Sequence, residues 1–154
     1  MTIDPTVADL LAKARTAQAL YEKFNQAEVD DVVAAIAWVV LEPVRNQHLS
    51  ERAVEDTGLG DIDDKFTKNY RKTLGLLRDL TGAPSVGVIA TNSKRGLVEI
   101  ARPIGVVGAI TPSTNPVATP TNKVMNALKG GNAIILAPSP RGEAVCGELV
   151  DLFR

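Results

Sequence analysis

Cysteine and histidine are almost missing from this chain, which holds one of each, Cys146 and His48. One cysteine permits no internal disulfide and agrees with a reducing compartment. One cysteine with one histidine cannot assemble a zinc centre, so no metal site is expected. A charge excess is missing too: 17 Lys and Arg stand against 18 Asp and Glu, with no basic block, which argues against a nucleic-acid surface. The longest apolar run, residues 32–41, falls well short of the roughly 18 residues that a membrane span requires, and it reads as a buried helix. The opening segment MTIDPTVADLL has neither the basic start nor the long apolar stretch of a secretory signal, so the expected location is cytoplasmic, with no membrane partner.

What is present is globular in composition: 45% hydrophobic residues over 154 positions are enough for one core of ordinary size. The first half reads as helical. Asp4 before Pro5 is a helix start, and Val7, Leu10, Leu11, Ala14, Ala17, Leu20, Tyr21 and Phe24 recur at helical spacing as an apolar stripe. Asn25 and Glu28 have capping-box spacing ahead of a buried helix over 29–40. A more polar helix over 43–57 ends at Gly58. Asp61, Asp63 and Asp64 then open a fourth, whose Lys65, Lys68, Arg71 and Lys72 follow in the order that the helix dipole favours and read as a solvated face. Gly82-Ala83-Pro84 closes this half.

Beyond it the period changes. Val86, Val88 and Ala90, then Leu97, Val98, Ile100 and Ala101, flank a polar loop and predict a hairpin. Two uninterrupted apolar runs, 104–110 and 133–137, enclose a helical pattern closed by Gly130-Gly131, which predicts a βαβ unit with parallel strands. A last helical pattern occupies 142–154. The fold class is therefore α/β: a helical segment over 1–84, a hairpin over 85–102 that could serve as an oligomerisation arm, and over 103–154 the first crossover of a Rossmann-like sheet. Two parallel strands leave open edges, so the expectation is an incomplete domain of a longer chain. Function is expected where the first of these strands ends, at Thr111-Pro112-Ser113-Thr114-Asn115-Pro116. The local alternative is a plain helix start, with Asn115 as the cap and Pro116 at the first helical position.

Several ordered motifs together resemble the aldehyde dehydrogenase superfamily, and more narrowly its CoA-acylating branch. They are Glu55-Asp56-Thr57-Gly58-Leu59-Gly60 with Asp64-Lys65 and Lys68-Asn69; Arg102-Pro103-Ile104-Gly105-Val106-Val107-Gly108; the 111–116 turn; Gly131-Asn132-Ala133-Ile134-Ile135; and Ala137-Pro138-Ser139-Pro140. The resemblance spans nearly the whole chain and corresponds to the N-terminal part of such an enzyme. It implies oxidation of an aldehyde to an acyl-CoA, with NAD or NADP as cofactor, CoA as co-substrate, and a homo-oligomeric intact protein. The ordinary hydrolytic branch carries Pro-Trp-Asn-Phe-Pro at the turn, where the Asn donates to the oxyanion formed on the aldehyde. Matching the prolines to Pro112 and Pro116 puts Thr114 at that position, while Asn115 has the matching chemistry one place later, so both stand as candidate catalytic donors. The Ser-Thr-Asn-Pro pattern is that of the acylating branch. Cofactor contacts carried over are Thr111, Pro112, Ser113, Lys123, Pro138, Ser139 and Pro140, with a plain helix-surface position as the alternative for Lys123. Arg141 could meet a 2′-phosphate. The hydrolytic branch has a lysine after the second strand, where this chain has Ala137-Pro138, which disfavours that branch. The family's cysteine nucleophile has no match, since Cys146 lies in a helical pattern as a packed thiol and His48 reads as an exposed surface residue. The 154-residue chain alone is thus expected to be inactive, and a non-catalytic fragment or oligomerisation module is the alternative reading.

Overall fold

The computed structural model describes residues 3–154. Four helices come first, α1 (Pro5–Tyr21), α2 (Gln26–Leu41), α3 (Pro43–Thr57) and α4 (Ile62–Leu80). There follow β1 (Gly87–Asn92), β2 (Leu97–Ala101), β3 (Val106–Thr111), α5 (Ala118–Lys129), β4 (Ala133–Pro138) and α6 (Glu143–Leu152). Strands β1 and β2 form an antiparallel hairpin, with an irregularity between Val88 and Ala90. Strands β3 and β4 are parallel, in a register that sets Val106 beside Ala133 and Thr111 beside Pro138. The expected order of helices, hairpin and βαβ crossover is the observed one.

Local chemistry explains most helix ends. Asp4 accepts from the Thr6 amide at 2.8 Å, with Pro5 in the first turn, where its missing N–H costs nothing. Asn25 and Glu28 form a reciprocal capping box, so α2 begins at Gln26, three residues earlier than its apolar run suggested. Glu42 does the same for α3, accepting from the amides of Val44 at 3.0 Å and Arg45 at 2.8 Å.

The core has two parts. Val33, Ile36, Ala37 and Leu41 of α2 meet Val124 and Met125 of α5. Val40 of α2 joins Leu49 and Ala53 of α3, Val117, and Val145 and Leu149 of α6. Leu49 and Leu149 are fully buried, and each such side chain contributes on the order of 2 kcal/mol by its removal from water. A polar seam links α3 to α4: the buried Asn69 amide donates to Asn46 Oδ1 at 3.1 Å and to Ser50 Oγ at 3.3 Å, and Asn46 donates to the Phe66 carbonyl at 3.0 Å.

The expected apolar stripe of α1 is not a core stripe. None of its residues is buried, and Leu20 is 61% exposed. The helix lies along β4 and β3, and a surface two strands wide cannot cover it. Leu11, Ala14 and Tyr21 are half-buried there, and the Tyr21 hydroxyl adds a polar tie by donating to the Leu128 carbonyl at 3.1 Å. Asn132 fastens the start of β3 to the end of α5. Its Oδ1 accepts from the amides of Ile104 at 2.8 Å and Gly105 at 2.9 Å, and its Nδ2 donates to the Gly130 carbonyl at 3.1 Å.

Candidate active site

Strand β3 ends at Thr111, and the turn after it, residues 112–117, sits at the C-terminal edge of the parallel pair. The Ser139 amide donates to the Thr111 carbonyl at 3.0 Å. The pairing therefore sets Thr111 beside Pro138 and Ser139, with Pro112 and Ser113 following on one strand end and Pro140 on the other. In an open parallel sheet this is the edge outside which ligands bind. Thr111 is buried, Ser113 half-buried and Pro112 exposed; Pro138 and Ser139 are half-buried and Pro140 is exposed, as is Arg141. Lys123 is not brought to this edge. It is an exposed residue of α5 that lines a separate cleft with Val107, Gly108, Ala109 and Asn126.

The turn is not a simple helix start. Helix α5 begins at Ala118, and its cap position, Val117, makes no side-chain cap bond. Asn115 is not the N-cap, nor is Pro116 the first helical residue. The buried Pro116 is instead wedged against Gly142, where a Cβ would lie 3.0 Å from its own Cβ. Gly142 has φ +131, a conformation that other residues rarely adopt, so the chain enters α6 close beside the turn. Asn115 is half-buried, and its Oδ1 is buried with no hydrogen-bond partner, as is Thr111 Oγ1. Among the described residues no protein donor reaches either oxygen.

A second element reaches this turn. The charge order of helix α4 predicts a solvated face, yet Lys65 is 3% exposed, and its Nζ donates to the Thr114 carbonyl at 2.9 Å. Lys68, one turn on, reaches the same oxygen at 3.5 Å. Neither lysine makes an ion pair among the described residues. Burial, and then the neighbouring Lys68 charge, lowers the Lys65 pKa from its ordinary value. Lys68 is lowered by burial and then by Lys72, against the opposing pull of Asp64. Both lysines open on a cleft of about 290 Å³, lined also by Leu59, Gly60, Asp61, Asp64 and Thr114. Gly60 has φ +80, and a Cβ there would lie 3.2 Å from Lys65 Cε, so glycine leaves the lysine its path. The local signals for this pair were the spacing of three, which puts both side chains on one helix face, and the place of Asp64-Lys65 and Lys68-Asn69 among the motifs of the resemblance.

Cys146 is buried on α6, and burial raises its pKa, so it lacks the thiolate character of a nucleophile. His48 is exposed on α3 and pairs with Glu148.

The family model of the aldehyde dehydrogenase family matches residues 4–154. An acylating sulfoacetaldehyde dehydrogenase of Cupriavidus necator is 61% identical over 148 residues, covering 96% of this chain and 30% of the relative. An acetylating succinate-semialdehyde dehydrogenase of Clostridium kluyveri is 37% identical over all of this chain and 34% of its own length. Among solved structures, an acetylating aldehyde dehydrogenase from Geobacillus thermoglucosidasius superposes with a TM-score of 0.91 at 33% identity, over 96% of this chain and 32% of that one. An engineered glycolyl-CoA reductase with bound NADP+ gives a TM-score of 0.79 at 29% identity, over 93% and 32%. The chain thus spans about a third of the length of the relatives it matches.

Proposed function

Because the chain belongs to the aldehyde dehydrogenase family, we propose that it forms part of an NAD(P)-dependent, CoA-acylating enzyme that converts an aldehyde and CoA to an acyl-CoA. The observation that carries this reading is the 111–116 turn at the end of β3, which sits beside 138–140 and is braced from α4 by Lys65. In this reading Thr114 and Asn115 face the reacting carbonyl, and one of their side chains donates a hydrogen bond to its oxygen as negative charge develops there. Residues 111–113 and 138–140 would hold the cofactor along the strand ends, and Lys123 would offer a cation only to a part of it that extends into the separate cleft beside Val107 and Asn126. The nicotinamide, when bound, accepts the hydride that leaves the aldehyde carbon.

The nucleophile lies outside this chain in the reading, because Cys146 is buried and its thiol is held protonated. Its substrate is an aldehyde with a negatively charged far end, as sulfoacetaldehyde and succinate semialdehyde are in the names of two relatives. Residues 1–84 and 103–154 belong to the cofactor-binding part, and the hairpin over 85–102 is an arm between copies in a cytoplasmic homo-oligomer. The exposed Val88, Leu97, Val98 and Ile100 support that arm.

The test is a turnover assay on the full-length protein. Appearance of NADH or NADPH from aldehyde should require CoA and yield the thioester. Equal rates without CoA, with free acid as product, would place the protein in the hydrolytic branch. The 154-residue polypeptide alone should give no reduced nucleotide.

A further inference from the structure

We infer that Lys65 and Lys68 form a receptor for an oxyanionic group, the sulfonate or carboxylate at the far end of the aldehyde substrate. The inference rests on the reading that the 111–116 turn faces the aldehyde. Two ammonium groups converge on one neutral acceptor, the Thr114 carbonyl, at 2.9 Å and 3.5 Å. A carbonyl dipole satisfies one donor of a lysine but neutralises no charge. Like charges held this close, one of them buried, favour an anion between them.

The acids nearby are not positioned to serve. Asp61 uses Oδ1 on the amides of Asp63 and Asp64, capping α4. Asp64 lines the cleft and acts on the Lys68 charge, but from an exposed position and without an ion pair among the described residues. Donor capacity is also in surplus. Each ammonium has three N–H donors, and among the described residues each uses one of them, on the Thr114 carbonyl. The free donors adjoin open space of about 290 Å³. The cleft includes Thr114 itself, so an anion held by the two lysines would place the other end of a short aldehyde at the turn.

The same cation pair could instead meet a phosphate of CoA or of the dinucleotide, and the experiment separates these sources. The full-length protein and its Lys68→Met and Lys65→Met variants are assayed with sulfoacetaldehyde, succinate semialdehyde and propanal, each at saturating CoA and nucleotide. Lys68 is only half-buried, so its replacement is the safer variant for folding, and circular dichroism checks both. The expected result is a fall of about tenfold or more in the kcat/KM ratio of either anionic aldehyde to propanal, the size of a lost charge-assisted hydrogen bond. An unchanged ratio overturns the inference. So does an unchanged ratio with a raised KM for CoA or nucleotide, which assigns the lysines to phosphate. A readout without turnover accompanies it: 2-hydroxyethanesulfonate should raise the Tm of the unmodified protein more than inorganic phosphate does, and should not raise that of Lys68→Met. A protein that shows this shift but oxidises no aldehyde retains the anion site and loses the proposed activity. No shift with the sulfonate overturns the site whatever the activity.

Discussion

Lys65 is where local reasoning and the fold part company. Acidic residues ahead of basic ones along a helix predict a solvated face, because that order suits the helix dipole and each charge can remain in water. What buries Lys65 is the Thr114 carbonyl, 49 positions away in sequence, and no local pattern encodes a contact of that range. Its protonation then bears on stability. Burial and the Lys68 charge put its pKa in the folded state below the ordinary 10.5, so between that lowered value and 10.5 the unfolded chain binds more protons than the folded one. Stability contributed by this residue therefore rises with pH across that window, and below it the penalty for the buried charge is complete and constant. Against Lys65→Met, the unmodified protein should gain relative stability as the pH rises towards 10.5, as read by urea midpoints. A pH-independent difference would mean that Lys65 keeps its charge as easily as a solvated lysine does.

Helix ends set by neighbours in sequence were legible. The α2 start was written in Asn25 and Glu28, and the end of α3 in Gly58, because caps act within four residues. The start of α5 was not, since Asn115-Pro116 has the composition of a cap and yet the wedge of Pro116 against Gly142 decides the geometry. Gly142→Ala should destabilise the protein by about 1–3 kcal/mol, through the contact with Pro116 and the strained φ together. The heat-denaturation midpoint checks it, and a neutral outcome would show that the turn is free to move. Between α2 and α5 the buried Lys129 pairs with the half-exposed Asp30. The two partners are unequal. Asp30→Ala strands a buried ammonium and should cost about 3–5 kcal/mol, whereas Lys129→Met removes the buried charge, leaves a carboxylate that water can reach, and should cost clearly less. Denaturant midpoints of the two variants decide it, and equal losses would show that the ammonium finds water once its partner is gone.

At the scale of the molecule, the sequence pattern carried the α/β class because helical spacing gives way near Gly82-Ala83-Pro84 to apolar strand runs that then alternate with helical patterns. Which face each run meets was not carried, and α1 shows it: an apolar stripe exists, but nothing wide enough covers it. The same holds at the sheet, where Ile104 and Ile110 are 88% and 82% exposed. The hairpin is the clearest instance. Val88, Leu97, Val98 and Ile100 are each more than half exposed, on two strands too few to be stable alone in water. An uncovered apolar ribbon with two unpaired edges favours pairing with another chain, and the repeat of one surface in a symmetric oligomer supplies such a partner. Val98 and Ile100 lie two apart on β2 and so share a face. Charging that face with Val98→Glu and Ile100→Glu should shift the full-length protein to a smaller species in sedimentation velocity, since burying a carboxylate between copies costs several kcal/mol. If the assembly keeps its mass, the hairpin is no arm between copies.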